Sequence, residues 1–123
     1  MNYFNYELLK KTKPGAMFIN ITRGEISPAK DLLKLINENH LGGLALDVYD
    51  KESLIGESLR NEKISKDEEV KAVIELGKKE NVILTPHNSF NTFEALERKA
   101  IQTIQQLNQF LNEKDFLWKV PID

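Results

Sequence analysis

Three short apolar runs, each cut off by polar residues, constrain this chain more than any other feature of its sequence. The first, Ala16-Met17-Phe18-Ile19-Asn20-Ile21, follows Pro14-Gly15 and is nearly continuous, which reads as a strand buried on both faces. Leu44-Ala45-Leu46-Asp47-Val48-Tyr49 is the second candidate strand, and Asn81-Val82-Ile83-Leu84-Thr85, closed by Pro86, is the third. Between the first two, Leu32, Leu33, Leu35 and Ile36 form a helical stripe within 28–39. That helix starts near Ser27 with Pro28 in its first turn, and His40-Leu41-Gly42-Gly43 stops it. Strand, helix and strand with short links make a βαβ unit, so the chain is α/β with a parallel sheet.

The stretch from Lys51 to Glu80 places fifteen charged residues in thirty positions, and most of it must be solvated. Its second half, 67–79, carries Val70, Val73, Ile74 and Gly77 on one side and predicts a crossover helix, while the first half reads as loop. After the third strand, Phe93, Leu96, Ala100, Ile104, Leu107 and Leu111 recur at three and four residues, predicting a long amphipathic helix. Asn91 and Glu94 resemble a capping box at its start, and Gln102, Gln105, Gln106 and Gln109 give it an amide-rich face.

Composition removes several classes of function. At 123 residues the chain is one domain at most. Seventeen basic against nineteen acidic residues leave a net charge of −2, so neither nucleic acid nor an anionic membrane is an expected partner. Without cysteine there is no disulfide framework, thiolate zinc site or thiol nucleophile, and no metal site is expected. No apolar run approaches the ~18 residues of a membrane span. The opening Met1-Asn2-Tyr3-Phe4-Asn5 lacks the order of a signal peptide, and a cytoplasmic location is expected.

The polar residues sit where a parallel sheet binds ligands, beyond the carboxyl ends of its strands. The first strand yields Thr22-Arg23-Gly24, the second Asp47 with Glu52 five residues on, and the third His87-Asn88-Ser89. Taken singly, Arg23 and Glu52 have an ordinary account as solvated charges, Asp47 as a strand-end or turn cap, and His87 as a structural histidine. His40 is accounted for by favourable charge at a helix C-terminus. Parallel strands, however, bring an arginine, two carboxylates and a histidine to one edge.

At these positions the sequence resembles a known family. Thr22-Arg23-Gly24-Glu25, the block from Gly42 to Glu52, and Leu84-Thr85-Pro86-His87-Asn88-Ser89-Phe90 are similar in order and spacing to signature blocks of the NAD-dependent D-isomer-specific 2-hydroxyacid dehydrogenases, the relatives of D-lactate dehydrogenase. The likeness runs from about Leu8 to Leu111. It implies half of a Rossmann-type doubly wound sheet, about three strands, plus a long C-terminal helix. It also implies an oxidoreductase moving a hydride between NAD(H) and a D-2-hydroxy or 2-oxo acid such as lactate or pyruvate. By the match, His87 is the acid–base residue, Glu52 supports its imidazolium, and Arg23 binds the substrate carboxylate. Thr22, Arg23, Asp47 and His87 lie at the nicotinamide, with Asp47 on its carboxamide, and Phe90 shapes the substrate pocket beside Arg23 and His87.

The chain departs from the family pattern in one large respect. It contains no Gly-x-Gly-x-x-Gly and no following ribose-binding acid, features that the family carries upstream together with a substrate-binding domain. The expectation is therefore a single partial domain over 1–123, a fragment inactive alone that pairs as a homo-oligomer or with a complementing N-terminal chain. The alternative is a catalytically inactive remnant acting only as an oligomerising or partner-binding module.

Overall fold

A computed structural model describes residues 2–61 and 65–119. The chain divides into two compact units, 1–89 and 90–123. The first opens with a one-turn helix, α1 (Tyr6–Leu9), followed by β1 (Ala16–Asn20), a 3-10 turn (Gly24–Ile26), α2 (Ala29–Asn37), β2 (Leu41–Leu46), α3 (Glu52–Arg60), α4 (Glu68–Leu76) and β3 (Val82–Leu84). The strands form one sheet in the order β1-β2-β3. Both pairings are parallel, with Phe18 beside Leu44, and Leu44 beside Val82. The βαβ reading holds, because each crossover carries a helix whose apolar stripe needs the sheet.

The core has one centre. Leu32 and Leu35 from α2, Leu44 from β2, and Val70 and Leu76 from α4 are fully enclosed, and Ile55 of α3 joins the same cluster. Caps from distant elements fix the helices: the Glu69 carboxylate accepts from the Ala29 N–H at 2.7 Å, and Asp31 accepts from the Tyr6 N–H at 2.9 Å. Each satisfies a donor that a helix start leaves orphaned.

Several local expectations need correction, and the second strand is one: it runs over Leu41–Leu46 rather than 44–49, so Leu41, Gly42 and Gly43 lie in the sheet instead of forming a helix stop. β1 is buried on one face only: Phe18 and Asn20 turn inward, while Met17 and Ile19 are 70% and 64% exposed. Ile83 of β3 is 64% exposed in the same way, because the crossover helices all feed one core on one side of the sheet. The first half of 51–80 is helix rather than loop, since Ile55 and Ser58 give α3 a buried side despite its charge. α2 takes Pro28 as its N-cap residue rather than in its first turn. His40 is buried, and its Nε2 lies 3.2 Å from the Leu9 carbonyl, so it ties α1 to the sheet rather than standing as a helix-end charge.

The second unit is α5 (Phe93–Glu113), as the periodicity predicts, followed by a short return in which the Leu117 N–H donates to Gln106 Oε1 at 2.8 Å. Its N-cap is Thr92, whose hydroxyl oxygen accepts from the Ala95 N–H, one residue later than the expected Asn91. Among the described residues no helix is long and apolar enough to cross a membrane, and no acidic or histidine cluster could hold a metal.

Candidate active site

The residues that end the strands assemble at one edge of the first unit, and an amide inside β1 begins the construction. Asn20 is 3% exposed and uses its whole side chain: Nδ2 donates to the Arg23 carbonyl and Ser27 Oγ, both at 2.8 Å, while Oδ1 accepts from the Thr22 N–H and hydroxyl. A buried amide with four bonds made fixes a unique turn. That turn presents Arg23, which is exposed and whose guanidinium donates to the Thr22 carbonyl at 2.9 Å. Gly24 then passes so close to the next strand end that a Cβ there would sit 1.9 Å from the Tyr49 carbonyl carbon. Only glycine permits this approach of the Arg23 turn to the segment leading to Glu52.

At the end of β2, Asp47 is 2% exposed and faces the loop after β3. Its Oδ1 accepts from the Thr85 hydroxyl at 2.6 Å and the Asn88 N–H at 2.8 Å, and its Oδ2 from the Ser89 N–H at 2.8 Å. Burial alone would raise the pKa of this carboxyl, but the donors from Thr85, Asn88 and Ser89 outweigh it and hold the group far below the usual carboxylate range. Tyr49 bridges the same strand ends, its hydroxyl 2.9 Å from the Leu46 carbonyl and 2.8 Å from the Thr85 carbonyl. Burial pushes this phenol up to about 12, and the Asp47 and Glu52 charges add to the effect.

Glu52, the first residue of α3, accepts from the Tyr49 N–H at 3.2 Å, and its Oε1 lies 2.9 Å from His87 Nδ1. A carboxylate can only accept, so in this contact Nδ1 carries the proton. Arg23, Glu52, His87 and Tyr49 line one cavity of about 540 Å³ together with Gly24 and Lys51. A second, more apolar hollow of about 370 Å³ adjoins it through Tyr49, Glu52 and His87, walled by Ile55, Leu59 and Leu84.

The structure thus brings three of the singled-out residues to one cavity and sets Asp47 beneath the loop that carries one of them. Thr22 stands on the Arg23 turn. Phe90 falls in the second unit, where it is exposed and the Lys99 ammonium lies 4.4 Å from its ring centre. Sequence reasoning missed Asn20 and Tyr49. The signal for Asn20 was a lone amide inside an apolar run, a polar group that burial obliges to find partners. Tyr49 carried none beyond its place after Asp47.

An open parallel α/β sheet here carries an arginine and a histidine–carboxylate pair at its carboxyl edge, the place where such sheets bind ligands. The sequence profile of the D-isomer specific 2-hydroxyacid dehydrogenase, NAD binding domain, matches residues 1–89, and the chain belongs to this family. It is 34% identical over 110 residues to a glyoxylate reductase of Pyrococcus furiosus, covering 89% of this chain and 28% of that protein. It is 30% identical over 108 residues to a D-lactate dehydrogenase of Lactiplantibacillus plantarum, covering 87% and 31% respectively. The crystal structure of the D-lactate dehydrogenase from Aquifex aeolicus complexed with NAD and lactic acid superposes with a TM-score of 0.75 at 25% identity, over 98% of this chain and 38% of that one. The chain therefore spans about a third of the length of the relatives it matches.

Proposed function

We propose that this chain forms the nicotinamide side of an NAD-dependent D-2-hydroxyacid dehydrogenase and carries its acid–base pair. The observation that supports this most is the 2.9 Å contact of Glu52 with His87 Nδ1 at a cavity that Arg23 also lines. The donor set fits one end of the cofactor: Thr22, Arg23 and His87 offer polar groups at the strand ends, and an arginine suits a substrate carboxylate. Asp47 lies beneath the same loop, its carboxylate accepting from Thr85, Asn88 and Ser89 and offering a further acceptor site to the carboxamide. No glycine fingerprint occurs in the sequence, so the residues suit the nicotinamide and not the pyrophosphate.

The bound dinucleotide supplies the hydride for C2 of a 2-oxo acid such as pyruvate. Arg23 holds the carboxylate through its planar fork and draws charge from the developing C2 oxygen. His87 delivers its Nε2 proton to that oxygen and takes it back in the oxidation direction. Glu52 keeps the ring oriented and compensates its positive charge. The Asn20 turn and the Asp47 loop keep the arginine and the histidine in register.

Co-expression with a family N-terminal segment tests this reading. Reduction of a 2-oxo acid is expected, with His87→Ala lowering turnover by about 10²–10⁴. Arg23→Lys keeps the charge and loses the fork, so KM rises and kcat falls together. A second reading, an assembly module without turnover, draws support from the exposed apolar face of the sheet. A complemented, folded complex that binds NAD and reduces nothing would favour it.

A further inference from the structure

His87 is held at φ +50°, in the left-handed region that a non-glycine residue keeps only where its surroundings over-determine it. Those surroundings converge on Asp47. Thr85, two residues before His87, and Asn88 and Ser89, the two after it, all donate to that carboxylate, at 2.6, 2.8 and 2.8 Å. The donors bracket the histidine on both sides, and the acceptor is anchored at the end of the central strand. Nothing in that arrangement requires a ligand. A carboxylate has acceptor sites for about four donors. Thr85, Asn88 and Ser89 already fill three of them.

We propose that Asp47 is a positioning residue for His87: by gripping Thr85, Asn88 and Ser89 it sets the left-handed turn that aims the imidazole at Glu52. The assignment rests on the reading of His87 as the acid–base residue. Tyr49 assists from the other side, since its hydroxyl meets the Thr85 carbonyl.

The test uses the 123-residue chain labelled with ¹⁵N, comparing the natural sequence with Asp47→Asn. An asparagine leaves one acceptor oxygen and turns an NH₂ toward a backbone donor. Amide exchange at Asn88 and Ser89 is expected to speed by about tenfold or more. The His87 ring nitrogens lose the shift pattern of an Nδ1–H bonded to carboxylate, a pattern that Glu52→Gln removes without loosening the two amides. His40, bonded to Leu9, is the internal control and stays unchanged. Unaltered amides, or loosened amides with an unaltered His87 ring, overturn the assignment. If His40 also changes, the variant has lost its fold and Thr85→Val decides: it removes one donor, and a His87 ring that does not respond overturns the proposal. None of these readouts depends on turnover, so a failure of the dehydrogenase reading is recorded separately.

Discussion

Asp47 and Tyr49 stand two residues apart at the end of β2 and couple stability to pH in opposite senses. For Asp47 the folded value is depressed, so its contribution is complete above the unfolded value of ~3.9 and is lost as pH falls below it. Acid unfolding followed by circular dichroism is expected to be less steep below pH ~4 in Asp47→Asn than in the natural chain. For Tyr49 the folded value is raised to about 12, so its contribution is complete below ~10 and disappears as pH rises through the folded value. Tyr49→Phe should remove a late phenolate absorbance change and flatten the alkaline limb. The sequence placed Arg23, Glu52 and His87 where they now meet, because strand ends in a parallel sheet share an edge. It was silent on how they are held. Asp47 and Tyr49 act through partners up to 42 positions away, and no local pattern encodes such bonds.

The elements were legible wherever apolar residues kept a period in the sequence. All three strands and the long α5 follow from apolar spacing, while α3 was hidden by the charges around Ile55 and Ser58, its buried positions. Strand faces were misjudged for a related reason: an apolar run reports what a surface is made of, and Met17, Ile19 and Ile83 are apolar without being covered. Two substitutions probe the elements. Gly24→Ala forces the Arg23 turn away from Tyr49, at a cost of at least the ~1–3 kcal/mol typical of overpacking, read as a lower urea midpoint. Glu69→Ala removes the cap on the Ala29 N–H and is expected to cost about 1 kcal/mol in the same assay.

At the scale of the whole molecule, the two sides of the sheet obey different rules. Leu44 and Leu46 face a filled core, whereas Met17 and Ile19 on β1 and Ile83 on β3 face outward from the two outer strands of the sheet. Light scattering at micromolar concentration is expected to show self-association that Ile19→Lys with Ile83→Lys abolishes. A monodisperse monomer of the natural chain would refute that expectation. The one-sided burial of β1 also makes its two faces separable by experiment. Replacing Phe18 withdraws a side chain that the fold consumes, while replacing Ile19 withdraws one that it merely displays. A denaturation curve and an association curve therefore report on alternate letters of the same five-residue strand.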